Sequence, residues 1–263
     1  MSKPQSTHNM QSKLSTPKIV AAGLLAFIIV VIATAPAMLV SAFISENQNA
    51  VRISSATGTI WRGAFEGASY EEISLGKIDF AVRPFLLLLG QANLHISSVG
   101  GIADGDGDIE YGIGGRLAIR DAKGRIKLSH IRRYYLFGGP ITGEARFDIE
   151  SLVFDKTGCR HSEGIVSTNV LSGPAQRING STLDLSGVLR CEGDNLLADL
   201  TGANDQLALQ VQVIIQPDLR YDMVVTAEAS IDDIQKALLA AGFEENDGAL
   251  VYNAVGVLSG AGS

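Results

Sequence analysis

The sequence lacks the features that mark several common functional classes. It has no long run of lysine and arginine, and its 263 residues carry a formal net charge of −7, so nucleic acid is not expected as a partner. Neither a G-x-S-x-G nucleophile elbow nor an H-E-x-x-H zinc motif is present. The histidines outside the N-terminal segment stand singly, without a metal-ligand spacing. We therefore expect no enzymatic activity, no cofactor, no metal and no small-molecule substrate.

Charge is missing from one long segment near the N-terminus. The 26 residues from Ile19 to Ile44 contain no charged side chain, and about 20 apolar residues are enough to cross a bilayer core. Pro36, late in this run, is compatible with a kinked spanning helix. Three lysines precede the run and Glu46 is the first charge after it. The positive-inside rule therefore predicts a single-pass protein with its N-terminus in the cytoplasm and its main domain on the other side.

A cleaved signal peptide is the alternative interpretation of the same run. Positions 33–35 and 35–37 both fit the A-x-A cleavage pattern. The apolar stretch continues to Ile44, beyond either site, which favours a retained anchor. Both interpretations export the remainder of the chain.

The chain divides into three predicted segments. Residues 1–18 are polar and contain two prolines, which is typical of a disordered tail, here cytoplasmic. Residues 19–44 form the predicted transmembrane helix. Residues 45–263 contain no Pro- or Ser-rich linker, so we expect one exported domain.

Alternation of apolar and polar side chains indicates strands throughout this domain. The clearest case is residues 207–215, followed by a PDLR turn and a return strand over 221–229. A single soluble helix is expected between Ser230 as N-cap and Gly242 as the residue after its C-cap. The predicted fold is mainly β: an antiparallel domain, arranged as a curved sheet, a sandwich or an open barrel, with one short C-terminal helix. Residues 83–90 (RPFLLLLG) are either a short helical corner or a buried strand.

The two cysteines, Cys159 and Cys191, both lie in the exported part. In an oxidising compartment such a pair is expected to form a disulfide. The bridge would close a loop of about 33 residues and stabilise the fold by about 3–4 kcal/mol.

Two charged clusters invite a functional interpretation. The basic-aromatic cluster contains Arg125, Lys127, Arg132, Arg133 and Tyr134. It could contact an acidic partner or lipid headgroups, although a solvated strand face is the simpler interpretation. The second cluster, the DGDGD segment at 104–108, resembles the opening of a calcium loop. The rest of that loop is missing, so a solvated turn is expected.

Two short motifs follow the apolar run in a characteristic order. The first is Gly58, Thr59, Ile60, Trp61 and Gly63, within TGTIWRGAF; the second is Pro84, a leucine-rich turn and Gly90. Together with a C-terminal half of long strands ending in a helix, these motifs resemble the type II secretion system protein N family over residues 19–258. The one departure in the first motif is conservative, with isoleucine at position 60 where the family has valine or leucine.

The resemblance implies an inner-membrane protein of a Gram-negative secretion machine. Its periplasmic β domain would contact other secretion proteins of the inner membrane or the outer-membrane secretin, through strand edges and loops and without catalysis. The alternative is that the chain is an envelope lipid-handling protein whose curved sheet has an apolar inner face.

Trp61, the only tryptophan, could be an interfacial anchor or a core residue. The chain between Ile44 and Trp61 could span about 50 Å when extended. We therefore expect Trp61 to be a packed residue of the first strand, away from the membrane.

Overall fold

The structure is a computed structural model that describes residues 16–47, 51–70, 73–128, 135–136, 139–140, 143–173, 176, 182–246 and 248–257. The helices in these ranges are α1 (Thr16–Thr34), α2 (Met38–Asn47), α3 (Pro84–Leu87) and α4 (Asp232–Ala240). The strands begin with β1 (Val51–Arg52), β2 (Ser55–Gly58), β3 (Arg62–Tyr70), β4 (Ile73–Val82), β5 (Gln91–Gly100), β6 (Ala103–Gly112) and β7 (Arg116–Lys127). They continue with β8 (Tyr135–Leu136), β9 (Gly139–Pro140), β10 (Glu144–Asp155), β11 (Gly158–Thr168), β12 (Leu185–Glu192) and β13 (Asn195–Ala203). The last four are β14 (Leu207–Ile215), β15 (Arg220–Ala229), β16 (Glu244–Asn246) and β17 (Ala249–Val257).

One antiparallel sheet of 15 strands dominates the described part of the chain. From β3 to β15 the strands pair in chain order, apart from the short β8–β9 pair, which forms a sheet of its own. β1 and β2 both pair with β3, and β17 lies between β15 and β16. The two ends of the sheet do not pair with each other, so the sheet is open. The predicted mainly-β antiparallel fold is confirmed, in the form of an open sheet.

The alternation of apolar side chains predicted a hairpin most clearly at residues 207–229. The predicted hairpin is present as β14 and β15, in which Leu207 lies opposite Ala229 and Ile215 opposite Tyr221. Apolar side chains of successive strands therefore fall on the same face, because side chains alternate between the two faces of a strand.

Helix α4 covers this apolar face at the C-terminal half of the sheet. Its Ile234 and Leu238 are buried against a cluster formed with Leu183, Leu185, Leu200, Leu209, Ala227, Phe243 and Leu250. Gly242 follows the helix with a positive φ of 96°, as predicted for the residue after the C-cap. The prediction of Ser230 as N-cap is wrong: Ile231 holds that position and provides no side-chain hydrogen bond.

The uncharged run does not form the single continuous helix predicted for residues 19–44. α1 ends at Thr34, three residues intervene, and α2 begins at Met38. Pro36 causes the break because it has no N–H for a helical hydrogen bond and its ring clashes with the preceding turn. Within the described residues, no helix has both the length and the apolar character needed to span a bilayer. Residues 1–15 of the predicted tail lie outside the described ranges.

Residues 83–90 form the helical corner that was one of the two predicted alternatives. Pro84 occupies the first turn of α3, a position that proline favours. The side chains that follow project outward, so a buried strand is wrong for this segment.

Candidate functional site: the junction between helix and sheet

The first motif forms the tight turn between β2 and β3. The N–H of Thr59 donates to the carbonyl oxygen of Arg62 at 2.9 Å, and the N–H of Arg62 donates back to Thr59 at 3.2 Å. The Thr59 hydroxyl oxygen also accepts from the N–H groups of Trp61 and Arg62, both at 3.3 Å. Threonine therefore stabilises the turn through its backbone and its side chain together.

Both motif glycines are required by close backbone approach within this hairpin. Gly58 has a φ of +89°, and a side chain there would overlap the backbone of Arg62 and Gly63. A side chain at Gly63 would overlap the Thr57 carbonyl and lie 3.0 Å from the ring of Phe80. The motif spacing thus follows from the geometry of the hairpin.

The same turn is hydrogen-bonded to the break between α1 and α2. Pro36 forms an isolated antiparallel bridge with Thr59. On its two sides, the N–H of Ala37 donates to Gly58 at 3.0 Å and the N–H of Ile60 donates to Ala35 at 2.9 Å. Ala37 is completely buried. The residues at the helix break therefore pair with the β2–β3 turn through this single bridge.

Trp61 connects this turn to the end of α1. Its indole Nε1–H donates to the carbonyl oxygen of Ile32 at 2.9 Å. Its own carbonyl accepts from the N–H of Val82 at 2.7 Å, which ties the turn to the end of β4. Trp61 is half-buried and lies in a bend between strands, so its prediction as a core residue of the first strand is wrong. The chain folds back through α2, β1 and β2, and the expected separation from the apolar run does not exist.

The second motif lies at the same end of the sheet. Pro84 begins α3 directly after β4, and Gly90 ends the corner with a φ of +73°. The Gly90 carbonyl accepts from the N–H of Ile113 at 3.2 Å, and the Ile113 side chain occupies the space that a side chain at position 90 would need. The two motifs are joined through the bond between Val82 and Trp61.

The predicted disulfide between Cys159 and Cys191 is present, with an S–S distance of 2.02 Å and Cα atoms 5.5 Å apart. It links β11 to β12. The ladder between these strands runs from the Gly164–Leu189 pair to the Thr168–Leu185 pair. The disulfide lies beyond the end of that ladder, next to a backbone hydrogen bond of 2.8 Å from the N–H of Cys159 to the carbonyl of Asp194 in the turn after β12.

The basic residues of the predicted patch that the structure describes are already paired. Lys127 and Arg125 approach Asp104 at 2.8 and 3.3 Å. The hydrogen bond from Lys127, followed by that from the Gly100 N–H, lowers the pKa of Asp104 from 3.8 to about 2. Arg132, Arg133 and Tyr134 lie outside the described residues. Arg125 and Lys127 therefore belong to an ion-paired strand face.

The aspartates of the DGDGD segment lie in strand β6 and not in the predicted solvated turn. Asp108 Oδ1 lies in hydrogen-bond contact with His95 Nδ1 at 3.1 Å, and Asp106 lies opposite Lys123 in the ladder. In the part of the chain that the structure describes, no group of three or more His, Cys, Asp or Glu side chains could hold a metal ion.

Sequence reasoning missed the residues on the helix side of the junction, Ile32, Ala35 and Ala37. A signal for them was present. Pro36 removes the usual helical donor to the carbonyl four residues earlier, that of Ile32, which keeps only a long bond of 3.5 Å from the N–H of Ala35 and can accept a further donor.

Comparison with known proteins identifies one family. The family model described as type II secretion system (T2SS), protein N matches residues 49–253. Both motifs and both cysteines lie inside this range. No curated protein and no solved structure matches the chain.

Proposed function

The chain belongs to the type II secretion system protein N family and is a component of that system; from this and the junction we propose that it is anchored in the inner membrane and acts in the periplasm through protein–protein contacts. Under this proposal residues 1–18 are cytoplasmic, residues 19–44 hold the protein in the membrane and the sheet faces the periplasm. It has no catalytic role. The junction is the observation that carries the proposal. Two backbone hydrogen bonds, which flank the Pro36–Thr59 bridge, and one indole hydrogen bond attach the sheet to the apolar run. This attachment would hold the sheet at the membrane surface.

The anchor is supported by the apolar run itself. No charged residue occurs from Ile19 to Ile44; three lysines precede this run, and the first charged residue after it is Glu46. The aliphatic and aromatic side chains of α1 between Val20 and Ile32 are exposed along its length. A helix with exposed apolar side chains on every side is suited to lipid, which solvates such side chains.

The C-terminal edge of the sheet is the best candidate for the partner-binding surface. At the other edge α2 lies against β1 and β2. At the C-terminal edge β16 covers only Ala249–Val251 of β17. The remainder of β17, residues 252–257, is paired with β15 alone in the described part of the chain. An edge of this kind can accept a strand from another protein, here another inner-membrane secretion protein or the outer-membrane secretin.

Deletion of the gene tests the secretion role. We expect type II substrates, such as secreted hydrolases, to accumulate in the periplasm and to disappear from the medium. Restoration by the wild-type gene on a plasmid is the control. Normal secretion combined with altered outer-membrane permeability would contradict the proposal.

A photo-crosslinking amino acid at Asn253, on the outer edge, tests the partner surface. We expect a crosslink to another secretion protein in intact cells. The matched control is the same substitution at Val188, which is also exposed but lies in β12 between two paired strands. Equal crosslinking at the two positions would argue against an edge-specific contact.

The apolar face of the sheet favours lipid handling as a second candidate function. The register places Ile96 opposite Phe80, and Ile109 opposite Leu94 and Ile119, on one face. Although these side chains are apolar, the isoleucines are only half-buried. A face of this kind could bind acyl chains.

The same photo-crosslinker at Ile96 in the full chain would test this function, with its neighbour Ser97, on the opposite face, as the control. Phospholipid attached at Ile96 and not at Ser97 would support lipid handling. Equal, low labelling at both positions would argue against it.

A further inference from the structure

Four apolar side chains project from one end of the sheet with nearly their full surface exposed. Phe85, Leu88 and Leu89 follow β4 in the α3 corner, and Ile113 lies in the turn between β6 and β7. Their exposures are 81%, 85%, 71% and 83%. We call these four residues the hydrophobic tip. Such a concentration of exposed large side chains is unusual for a surface that contacts only water.

The hydrophobic tip is held by the fold and is not an irregular loop. Gln91, where β5 begins, pairs with Gly112, where β6 ends, so the two connections are neighbours. The Ile113 side chain lies over Gly90, and its N–H donates to the Gly90 carbonyl. The N–H of Leu89 donates to Leu86 at 3.0 Å. The exposure of the tip is therefore a property of the ordered structure.

The hydrophobic tip lies at the same end of the sheet as the C-terminus of α1. Val82, two residues before α3, donates its N–H to Trp61, and the Trp61 indole is hydrogen-bonded to Ile32 in α1. The tip thus begins within a few residues of the junction. If α1 is in a membrane, the tip is directed toward the surface of the same membrane.

Three cations surround the tip without a carboxylate partner in the described part of the chain. Arg83 immediately precedes the α3 corner, Arg116 follows the β6–β7 turn, and the methylene groups of Lys156 lie against Gly115 in that turn. Most other basic residues of the described sheet are paired, for example Lys77 with Asp79 and Arg120 with Glu110, although Arg52 and Arg62 are not. Unpaired cations beside exposed apolar side chains are typical of surfaces that bind anionic membranes.

We propose that the hydrophobic tip inserts into the periplasmic leaflet of the membrane that holds α1. Its four side chains enter the boundary between headgroups and acyl chains, and Arg83 and Arg116 contact the phosphates of anionic phospholipids. This second attachment, together with the junction, would fix the tilt of the sheet relative to the membrane. The inference rests on the proposed anchor, because the direction of the tip is defined by α1.

The test measures the depth of a nitroxide label in the full-length protein, reconstituted in nanodiscs that contain phosphatidylethanolamine and phosphatidylglycerol. The native cysteines are bridged, so an introduced cysteine is the only reactive thiol. Labels are placed one at a time at L88C in the tip, at V30C in α1 and at V99C. Val99 is the matched control because it is apolar and exposed but lies at the opposite end of the sheet. Accessibility to oxygen and to a water-soluble nickel chelate is read by power saturation.

We expect the labels at positions 30 and 88 to be accessible to oxygen and protected from nickel, and the label at 99 to show the reverse. If position 88 behaves like position 99 while position 30 is in lipid, the tip proposal is overturned and the anchor stands. If position 30 is also in water, the proposed anchor itself fails and the tip proposal falls with it. Protection of position 88 from both reagents would show a protein contact, with a second copy or a partner, and would also overturn the proposal.

A charge reversal tests the role of the arginines separately. The R83E/R116E double variant should raise nickel accessibility at position 88, and it should do so more with phosphatidylglycerol present than in uncharged lipid. R146E, an exposed arginine at the other end of the sheet, is the control and should leave position 88 unchanged. Unchanged depth in R83E/R116E would remove the anionic headgroups from the proposal.

Discussion

The indole Nε1–H of Trp61 donates a hydrogen bond to the carbonyl oxygen of Ile32, 29 positions earlier in the chain, at 2.9 Å. Ile32 is four residues before Pro36. In an uninterrupted helix the N–H of residue 36 would bind this carbonyl, and proline has no N–H to donate. The only tryptophan of the chain therefore supplies the donor that the helix break removes. The family motif is thus explained by the attachment of the sheet to the apolar helix.

W61F tests this relationship, because it keeps an aromatic ring and removes the donor. We expect the free energy of unfolding to fall by about 1 kcal/mol, the usual net value of one hydrogen bond. Amide hydrogen exchange should become faster at the helix break, in particular at Ala37 and Ile60. The measurement is chemical denaturation combined with hydrogen exchange.

A double-mutant cycle separates this bond from general packing. In the P36A background residue 36 regains an N–H, so W61F should cost less than in the wild type. Y111F, which alters an exposed aromatic residue away from the junction, is the control and should change little. Equal costs of W61F in both backgrounds would contradict the pairing of Trp61 with Pro36.

Gly58→Ala tests whether glycine is needed at position 58 because the backbone of Arg62 and Gly63 lies close to it, as well as because its φ is positive. Gly114 has a similar φ of +96° but open space around it, so G114A should cost about 1–2 kcal/mol for the left-handed conformation alone. G58A adds an overlap with the backbone of Arg62 and should cost about 2 kcal/mol more. Equal losses of unfolding free energy in G58A and G114A, measured by thermal or chemical unfolding, would mean that β2 and β3 can move apart to accept the added methyl group.

Features that depend on local periodicity were predictable from the sequence. The alternation in residues 207–229 predicted the hairpin and its apolar face, because the side-chain period of a strand is fixed at two. Gly242 was predictable because few other residues adopt the conformation that ends a helix in this way. The disulfide followed from the number of cysteines and the expected compartment.

Features that depend on the path of the chain between elements were not predictable from pattern alone. The distance of Trp61 from the apolar run was overestimated, because α2 and β1 return the chain to the end of α1. The basic cluster at Arg125 and Lys127 could not be assigned its partner, since Asp104 becomes adjacent only when β6 pairs with β7. In both cases residues 20 or more positions apart are brought together, by the return of the chain in the first case and by strand register in the second, and a single sequence reveals neither.

D104N tests the electrostatic role of Asp104 through the dependence of stability on pH. Its pKa is lowered to about 2 in the folded protein, by the hydrogen bonds from Lys127 and the Gly100 N–H above all. A lowered folded-state pKa means that the unfolded chain binds the proton more readily. The stabilisation is therefore complete above the unfolded value of 3.8 and is lost as the pH falls toward 2.

We expect D104N to be less stable than the wild type at neutral pH, and the difference in melting temperature should shrink between pH 4 and pH 2. D106N, which removes the neighbouring carboxylate on the same strand, is the matched control. A difference between D104N and the wild type that stays constant over this range would contradict the ion-paired state of Asp104.

Removal of the disulfide tests how the start of β11 and the end of β12 are held together. The C159A/C191A variant should lose about 3–4 kcal/mol of unfolding free energy, the value expected for a loop of about 33 residues. Hydrogen exchange should increase mainly at residues 158–163, because the ladder with β12 begins only at Gly164. Dithiothreitol should lower the stability of the wild type to a similar extent and leave that of the double variant unchanged. An equal loss spread over the whole sheet would indicate that the bridge acts on the unfolded chain alone and does not hold these strand ends.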